Sequence, residues 1–357
     1  MEIKTIQAPP EKRRSKPTDE SKLGFGKLVT DHMFTMPWHM DRGWHDPLIE
    51  PYRPLQLDPT AMCFHYAQEI FEGLKAYRGK DGSLFLFRPM DNIRRMNVSA
   101  ERLCMPRIDE NLFLEALKKL ILIDKDWIPR GRGTSLYIRP TMIATEPALG
   151  VHPSNQYLFF IIAGPVGDYY PEGFGPTKIF VTEEYCRSVP GGIGYCKAGG
   201  NYAASLYASE IAKKMGYTQV LWLDAVHRKF VEEVGTSNIF FVIDGELITP
   251  PLGGTILPGV TRDSVLQIAR SWGLNVSERP LSMEEILTAF NNGSLQEAFA
   301  SGTAAIVSPI GQVCYQNREK SINEGRTGSL TERLYEEILR IQYGEKEDPF
   351  GWRLRIA

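Results

Sequence analysis

A mixed α/β (α+β) protein in two domains is what this sequence predicts, on three observations. Its 357 residues exceed what one hydrophobic core ordinarily serves. Apolar runs rich in β-branched and aromatic residues interchange with stretches whose apolar residues recur at helical spacing. Between the halves, Gly164 to Pro176 is dense in glycine, proline and tyrosine and separates two apolar runs, which marks an interdomain linker. The expected layout is an arm over 1–22, a first domain over 23–163, the linker over 164–176 and a second domain over 177–357.

Met1 to Lys22 is polar, carries Pro9-Pro10 and Lys12-Arg13-Arg14, and reads as a disordered or loosely docked arm. It lacks the apolar core of a signal peptide, and Glu2, Glu11, Asp19 and Glu20 argue against an import presequence. Lys27 to Thr30 and His32 to Met36 are strand candidates, while Trp38 to Pro59, rich in proline and aromatics, reads as an irregular packed loop. Phe64 to Lys75 alternates and turns, Arg78 to Gly82 reads as a hairpin loop, and Ser83 to Phe87 as the returning strand. Arg88 to Leu103 is expected to be a helix with Pro89 in its first turn. Asn111 to Ile123 is a second, with Phe113, Leu117, Leu120 and Ile121 on one face. Thr134 to Thr145 and Gln156 to Ala163 read as strands.

In the second half, Asn201 is expected to cap a helix that stops at Met215-Gly216. Gln219 to Asp224 and Phe230 to Val234 read as strands, and Asn238 to Ile243 and Glu246 to Thr249 as a hairpin around Asp244-Gly245. Val260 to Trp272 is a helix, and Ser282-Met283-Glu284-Glu285 is a capping box that opens another. Glu297 to Ala300 reads as a strand, and Leu330, Leu334, Ile338 and Ile341 mark the buried stripe of a last helix.

Composition bounds the function. With 41 basic residues against 43 acidic ones the net charge is close to zero, so nothing recommends nucleic acid or an anionic membrane as a partner. No apolar run approaches membrane-spanning length, and the cytoplasm is the default compartment. The five cysteines, Cys63, Cys104, Cys186, Cys196 and Cys314, are odd in number and scattered, which speaks against a disulfide framework, and no cluster has metal-ligand spacing. A protein acting on small molecules is the reading that remains.

The chemistry concentrates in three stretches. In Gly191-Gly192-Ile193-Gly194-Tyr195-Cys196-Lys197-Ala198-Gly199-Gly200-Asn201, one lysine lies between glycines on both sides. Glycine serves where backbone turns sharply or comes close to something else. The functional reading is an amine held beside a cofactor or substrate; the plain alternative is a surface lysine on a glycine-rich turn. Further on, Val231-Glu232-Glu233-Val234-Gly235-Thr236-Ser237-Asn238 sets an acidic pair between strand-like runs. A carboxylate there suits a pyridinium nitrogen, which it keeps protonated and so electron-withdrawing. Gly254-Thr255-Ile256-Leu257-Pro258-Gly259-Val260-Thr261-Arg262 reads as a turn feeding a helix N-terminus, whose N–H groups suit a phosphate.

Lysine, carboxylate and phosphate cradle together describe pyridoxal 5'-phosphate, and at this point the chain resembles the branched-chain amino acid aminotransferases, members of the fold-type IV pyridoxal-phosphate enzymes. The resemblance runs in order through Phe71-Glu72-Gly73-Leu74-Lys75-Ala76, Leu86-Phe87-Arg88-Pro89, Ser135-Leu136-Tyr137-Ile138-Arg139-Pro140, Lys197-Ala198-Gly199-Gly200-Asn201-Tyr202, Glu233-Val234-Gly235-Thr236-Ser237-Asn238, Leu257-Pro258-Gly259 and Ser301-Gly302-Thr303-Ala304. It implies a smaller N-terminal α/β domain, a larger C-terminal pseudo-barrel domain that binds the cofactor, and an active site between them.

The resemblance also implies roles. Lys197 carries the cofactor and moves the substrate proton, Tyr202 partners the ring 3-hydroxyl, Glu233 faces the pyridine nitrogen and Thr236 lies near the ring. A register slipped by one would exchange Glu233 with Glu232. Arg95, Val260, Thr261 and Thr303 match the phosphate site, with Arg187 nearby, whereas Arg94 reads as a solvated helix face. Thr303 and Ala304 resemble the backbone pair that receives the substrate carboxylate. Phe25, Tyr66, Phe71, Tyr137 and Tyr169 would form an apolar pocket, joined by Leu149 and Val151 of the other subunit in a homodimer. Arg139 and Tyr66 would serve the second carboxylate of glutamate. Animal members carry Cys-x-x-Cys after the Ser-Gly-Thr-Ala turn, where this chain has Ala305 and Ser308; the difference fits a microbial type of enzyme.

The activity so implied moves the amino group of L-leucine, L-isoleucine or L-valine to 2-oxoglutarate, giving the 2-oxo acid and L-glutamate. The nearest rivals keep the fold and change the chemistry, as a D-amino acid transaminase or an aminodeoxychorismate lyase. A catalytically silent binding protein is the rival from another class, and the joint presence of Lys197, Tyr202 and Glu233 argues against it.

Overall fold

The computed structural model describes residues 1–167 and 174–357. The chain divides into two compact units, the first made of Met1–Tyr169, Cys196–Gly199 and Arg340–Ala357, the second of Tyr170–Tyr195 and Gly200–Leu339.

The first unit is built on one sheet with helices. Its elements begin with β1 (Lys4–Thr5), β2 (His32–His39), β3 (Gly43–Trp44), β4 (Leu48–Pro51), α1 (Met62–Tyr66), β5 (Glu69–Phe71), β6 (Leu74–Arg78) and β7 (Leu84–Phe87). They continue with α2 (Pro89–Arg102), α3 (Glu110–Ile123), β8 (Ser135–Ala144) and β9 (Gln156–Val166). The long β8–β9 hairpin is the spine, in register from Ser135↔Val166 to Ala144↔Tyr157. Alternation places Leu136, Ile138 and Met142 of β8 in the core and leaves Tyr137 and Arg139 half-buried on the other face. Two expectations are corrected here: the strand expected at Lys27 to Thr30 is not formed, and the loop expected over Trp38 to Pro59 contains β3 and β4. Of the two states expected for the arm, the docked one is found. Ile3 and Ala8 are buried, β1 pairs parallel with β4, and the Ala8 N–H donates to His32 Nε2 at 2.8 Å. Local polarity concealed this docking, because its partners are far along the chain.

The second unit contains β10 (Thr177–Thr182), α4 (Gly199–Lys214), β11 (Gln219–Leu223), β12 (Val231–Val234), β13 (Ser237–Ile243), β14 (Glu246–Thr249), α5 (Val260–Ser271), β15 (Asn275–Glu278), α6 (Met283–Asn291), β16 (Leu295–Gly302), β17 (Ile306–Tyr315), β18 (Arg318–Ser321) and α7 (Ser329–Gln342). The strand order β12-β11-β10-β17-β16-β13 closes on itself through the β12–β13 pairing, which makes a barrel and removes the sheet edges there. Ile239, Phe241, Leu221, Val181 and Ile286 belong to one buried cluster, and Trp222, Val220, Ala208 and Ala212 to another. The Ser282 hydroxyl accepts from the Glu285 N–H at 3.1 Å, as the capping box predicts. Helix α7 is capped differently, by the buried Glu297 of β16, which accepts from the N–H groups of Leu330 and Thr331 at 2.9 Å each. A last strand, β19 (Arg353–Arg355), pairs with β7 of the first sheet.

Candidate active site

In the first unit, Lys197 is fixed by its backbone. Its carbonyl accepts from the Phe71 N–H at 3.0 Å, its own N–H donates to Ser99 Oγ at 3.0 Å, and Ala198 bridges antiparallel to Ile70. The segment thereby lies alongside β5 through one isolated bridge. A β-carbon at Gly199 would lie 2.0 Å from Glu69 Oε1, so a larger residue there would displace the Glu69 side chain. Half-buried, Lys197 holds its Nζ 4.9 Å from the Phe71 ring centroid, a cation against an aromatic face.

Phe71 is shared. Arg139 stacks its guanidinium 4.5 Å from the same ring and donates through Nη2 to the Tyr137 hydroxyl at 3.0 Å. Its Nε is buried and has no hydrogen-bond partner. Phe25 meets Tyr137 edge-on at 4.9 Å, and a cavity of about 150 Å³ is bordered by Phe25, Tyr137, Arg139, Leu28 and Ile162. Tyr66 donates to the Leu149 carbonyl. Leu149 and Val151 are 62% and 83% exposed, apolar side chains without cover. Arg95 of α2 and Glu72, between β5 and β6, form a buried two-pronged pair, Nε to Oε1 at 2.7 Å and Nη2 to Oε2 at 2.9 Å. Arg94 points elsewhere, to Glu110 at 3.4 Å on the exposed face, as expected of a solvated position.

In the second unit, Glu233 on β12 is 2% exposed and lies 2.6 Å from Arg187 Nη1. Its other oxygen accepts from Asn238 Nδ2 at 3.2 Å, and the same nitrogen donates to the Leu257 carbonyl at 2.9 Å. Glu232 instead accepts from Thr255 Oγ1 at 2.6 Å, and burial pushes its carboxyl above the ordinary range. Thr236 is exposed in the β12–β13 turn. Val260 and Thr261 are buried in the first turn of α5, whose N-cap Gly259 offers no side-chain acceptor. Gly259 has no room for one, because its β-carbon would lie 2.0 Å from Asn238 Oδ1. Thr303 and Ala304, half-buried, form the β16–β17 turn, followed by Ile306 at a φ of 64°, where a β-branched residue is strained. Tyr202 is half-buried on α4. Asn201, expected as the cap, lies inside that helix and donates through Nδ2 to the Ile193 carbonyl at 2.9 Å. Tyr169 lies outside the described residues.

The structure thus brings Lys197, Phe71, Tyr137, Arg139 and Phe25 into one cluster, and Glu233 and Arg187 into another. Sequence reasoning missed the residues that hold these side chains: Glu72, Ser99, Asn238 and Thr255. Glu72, Asn238 and Thr255 stand inside the motifs, each next to an apolar residue, Phe71, Ile239 and Ile256, whereas nothing local marks Ser99.

Comparison with known proteins shows the family. Residues 69–313 match the amino-transferase class IV family, and the chain belongs to it. It is 52% identical over 345 residues to branched-chain-amino-acid aminotransferase 2 of Bacillus subtilis, covering 97% of this chain and 95% of that one. Among solved structures it resembles the branched-chain amino acid aminotransferase of Escherichia coli, with a TM-score of 0.76 and 28% identity, covering 90% of this chain and 99% of that one. The branched-chain aminotransferase of the thermophilic archaeon Thermoproteus uzoniensis, solved with norvaline, is similar at a TM-score of 0.73 and 25% identity, covering 91% and 100%. Within class IV, then, the chain's place is with the branched-chain-amino-acid aminotransferases, and the expected fold and enzyme class both hold. Among the described residues, no helix is long and apolar enough to cross a membrane.

Proposed function

We propose that this chain transfers the amino group of L-leucine, L-isoleucine or L-valine to 2-oxoglutarate, with pyridoxal 5'-phosphate as cofactor, and that it works as a cytoplasmic homodimer. The observation that carries the reading is the Lys197 amine, tied by its backbone to β5 and held against the Phe71 ring. The residues fit the cofactor in three respects: a buried carboxylate at Glu233, a helix N-terminus at Val260 and Thr261 without a side-chain cap, and a basic group at Arg95 already oriented by Glu72.

When bound, pyridoxal phosphate supplies an aldehyde that takes the amino group and a ring that draws electrons from the substrate carbon. Lys197 would hold it and, once displaced, carry the proton from the substrate Cα. Glu233 would keep the ring nitrogen protonated, Tyr202 would hydrogen-bond the 3-hydroxyl, and Thr236 would lie beside the ring. The N–H groups of Val260 and Thr261, with Thr303 and Arg95, would receive the phosphate. Thr303 and Ala304 would receive the substrate carboxylate. Phe25, Tyr66, Phe71, Tyr137 and Tyr169 would enclose an aliphatic side chain, a burial worth about 25 cal/mol per Å². The unpartnered Nε of Arg139, with Tyr66, suits the second carboxylate of glutamate. Leu149 and Val151, exposed in one chain, would complete the partner's pocket.

A steady-state donor survey with 2-oxoglutarate tests this. Turnover of leucine, isoleucine and valine is expected; turnover of D-alanine or aminodeoxychorismate alone would overturn it. The absorbance band of cofactor joined to the lysine should be absent in Lys197→Ala.

A further inference from the structure

The Arg187 guanidinium sits at a junction of three segments. Its Nη1 is 2.6 Å from Glu233 Oε2 on β12 and donates to the carbonyls of Gly194 and Thr255 at 3.3 Å each. Both charged side chains are nearly sealed from water, at 6% and 3% exposure. The packing around the junction leaves no slack, since a β-carbon at Gly194 would lie 1.9 Å from Ser188 Oγ and 2.3 Å from the Thr255 carbonyl. Thr255 also donates its hydroxyl to Glu232, so the turn that precedes α5 is held from both sides.

A carboxyl group this buried would ordinarily retain its proton, because low dielectric disfavours the charged form. A protonated Glu233 would donate rather than accept, and could not keep a pyridine nitrogen protonated. The adjacent guanidinium reverses that preference, and its two carbonyl contacts fix where it stands. We propose that Arg187 is a positioning residue for Glu233: it keeps that carboxylate ionised and aimed, and through it sets the protonation of the cofactor ring. Arg187 thus acts on the ring through Glu233 rather than as a ligand of the phosphate. The inference rests on the assignment of Glu233 to the ring nitrogen.

The test uses the holoenzyme loaded with pyridoxal phosphate carrying ¹⁵N in the ring, whose chemical shift reports protonation without turnover. In the wild type the nitrogen should stay protonated through neutral pH. In Arg187→Gln its deprotonation midpoint should fall by about 1–3 pH units, the reach of one adjacent arginine on a carboxyl group, and Arg187→Lys should recover part of the shift. A nitrogen that titrates as in the wild type in Arg187→Gln would overturn the proposal. Should that variant not fold, the same titration of Arg187→Lys decides, because a lysine ends short of where Nη1 stands and carries its charge at a single point rather than on a planar fork; an unchanged midpoint overturns the proposal there too. Glu233→Gln separates the two layers. If it leaves the nitrogen protonated, the assignment of Glu233 itself fails; if it lowers the midpoint and Arg187→Gln does not, only the role of Arg187 fails.

Discussion

Gly73 lies so close to Tyr137 that a β-carbon on it would stand 2.1 Å from the tyrosine hydroxyl and 2.9 Å from the ring carbon bearing it. Gly73→Ala must therefore displace Tyr137, and with it the hydroxyl that accepts from Arg139 and the ring that Phe25 abuts. A displacement of about 1 Å in a positioning side chain is enough to lower kcat/KM for leucine by about 10²-fold. Cofactor absorbance should be unaffected, and Tyr137→Phe in the same chain, by removing the nearest atom, should restore part of the loss. Steady-state kinetics on the two variants check this.

Glu297 is a tertiary cap. It accepts from the N–H groups of Leu330 and Thr331 and from the Thr331 hydroxyl, at 2.9, 2.9 and 2.7 Å. Glu297→Ala is expected to lower stability by about 2 kcal/mol, the upper end for loss of a cap. Glu297→Gln retains an acceptor and should lose less. Urea unfolding followed by circular dichroism would give both values.

Burial raises the carboxyl of Glu232 above its usual range, with Asp224 adding to the shift and Thr255 and Arg187 opposing it. A folded-state value above the unfolded one means that the folded chain holds the proton more tightly. The associated stability is present below the unfolded value and is lost as pH rises through the folded one. Glu232→Gln, which remains neutral, should therefore match the wild type under acid conditions and become the more stable of the two as pH rises toward neutrality. Unfolding free energies measured from pH 4 to pH 8 would reveal a constant difference instead if the reasoning were wrong.

Leu149 and Val151 are exposed at 62% and 83%. If a second copy covers them, a charge at Val151 would be trapped at a dry interface, at a penalty of several kcal/mol. Val151→Asp is then expected to shift sedimentation velocity toward the monomer and to weaken leucine turnover, whereas a merely solvated Val151 would leave the boundary unchanged.

Secondary structure was legible wherever a local rule applied. Helical spacing marked α3 and α7, the Asp244-Gly245 pair marked the β13–β14 hairpin, and Ser282 with Glu285 marked the start of α6. It was not legible where distant partners decide. The arm docks because Ala8 meets His32, and Lys197 lies beside β5 because Phe71 and Ser99 hold its backbone. Helix α4 begins at Gly199 rather than at Asn201, whose amide is drawn to the Ile193 carbonyl.

The amino-acid order alone determined the family, the lysine and the acidic pair, because motifs of fixed spacing are local and survive without knowledge of the fold. Which glutamate is sealed beside a guanidinium, which arginine is gripped by Glu72, and which glycines have no space for a side chain were decided only in three dimensions. Charge pairing and close packing act through space over a few ångströms, and the residues they join, such as Arg187 with Glu233 or Gly73 with Tyr137, stand dozens of positions apart in the chain.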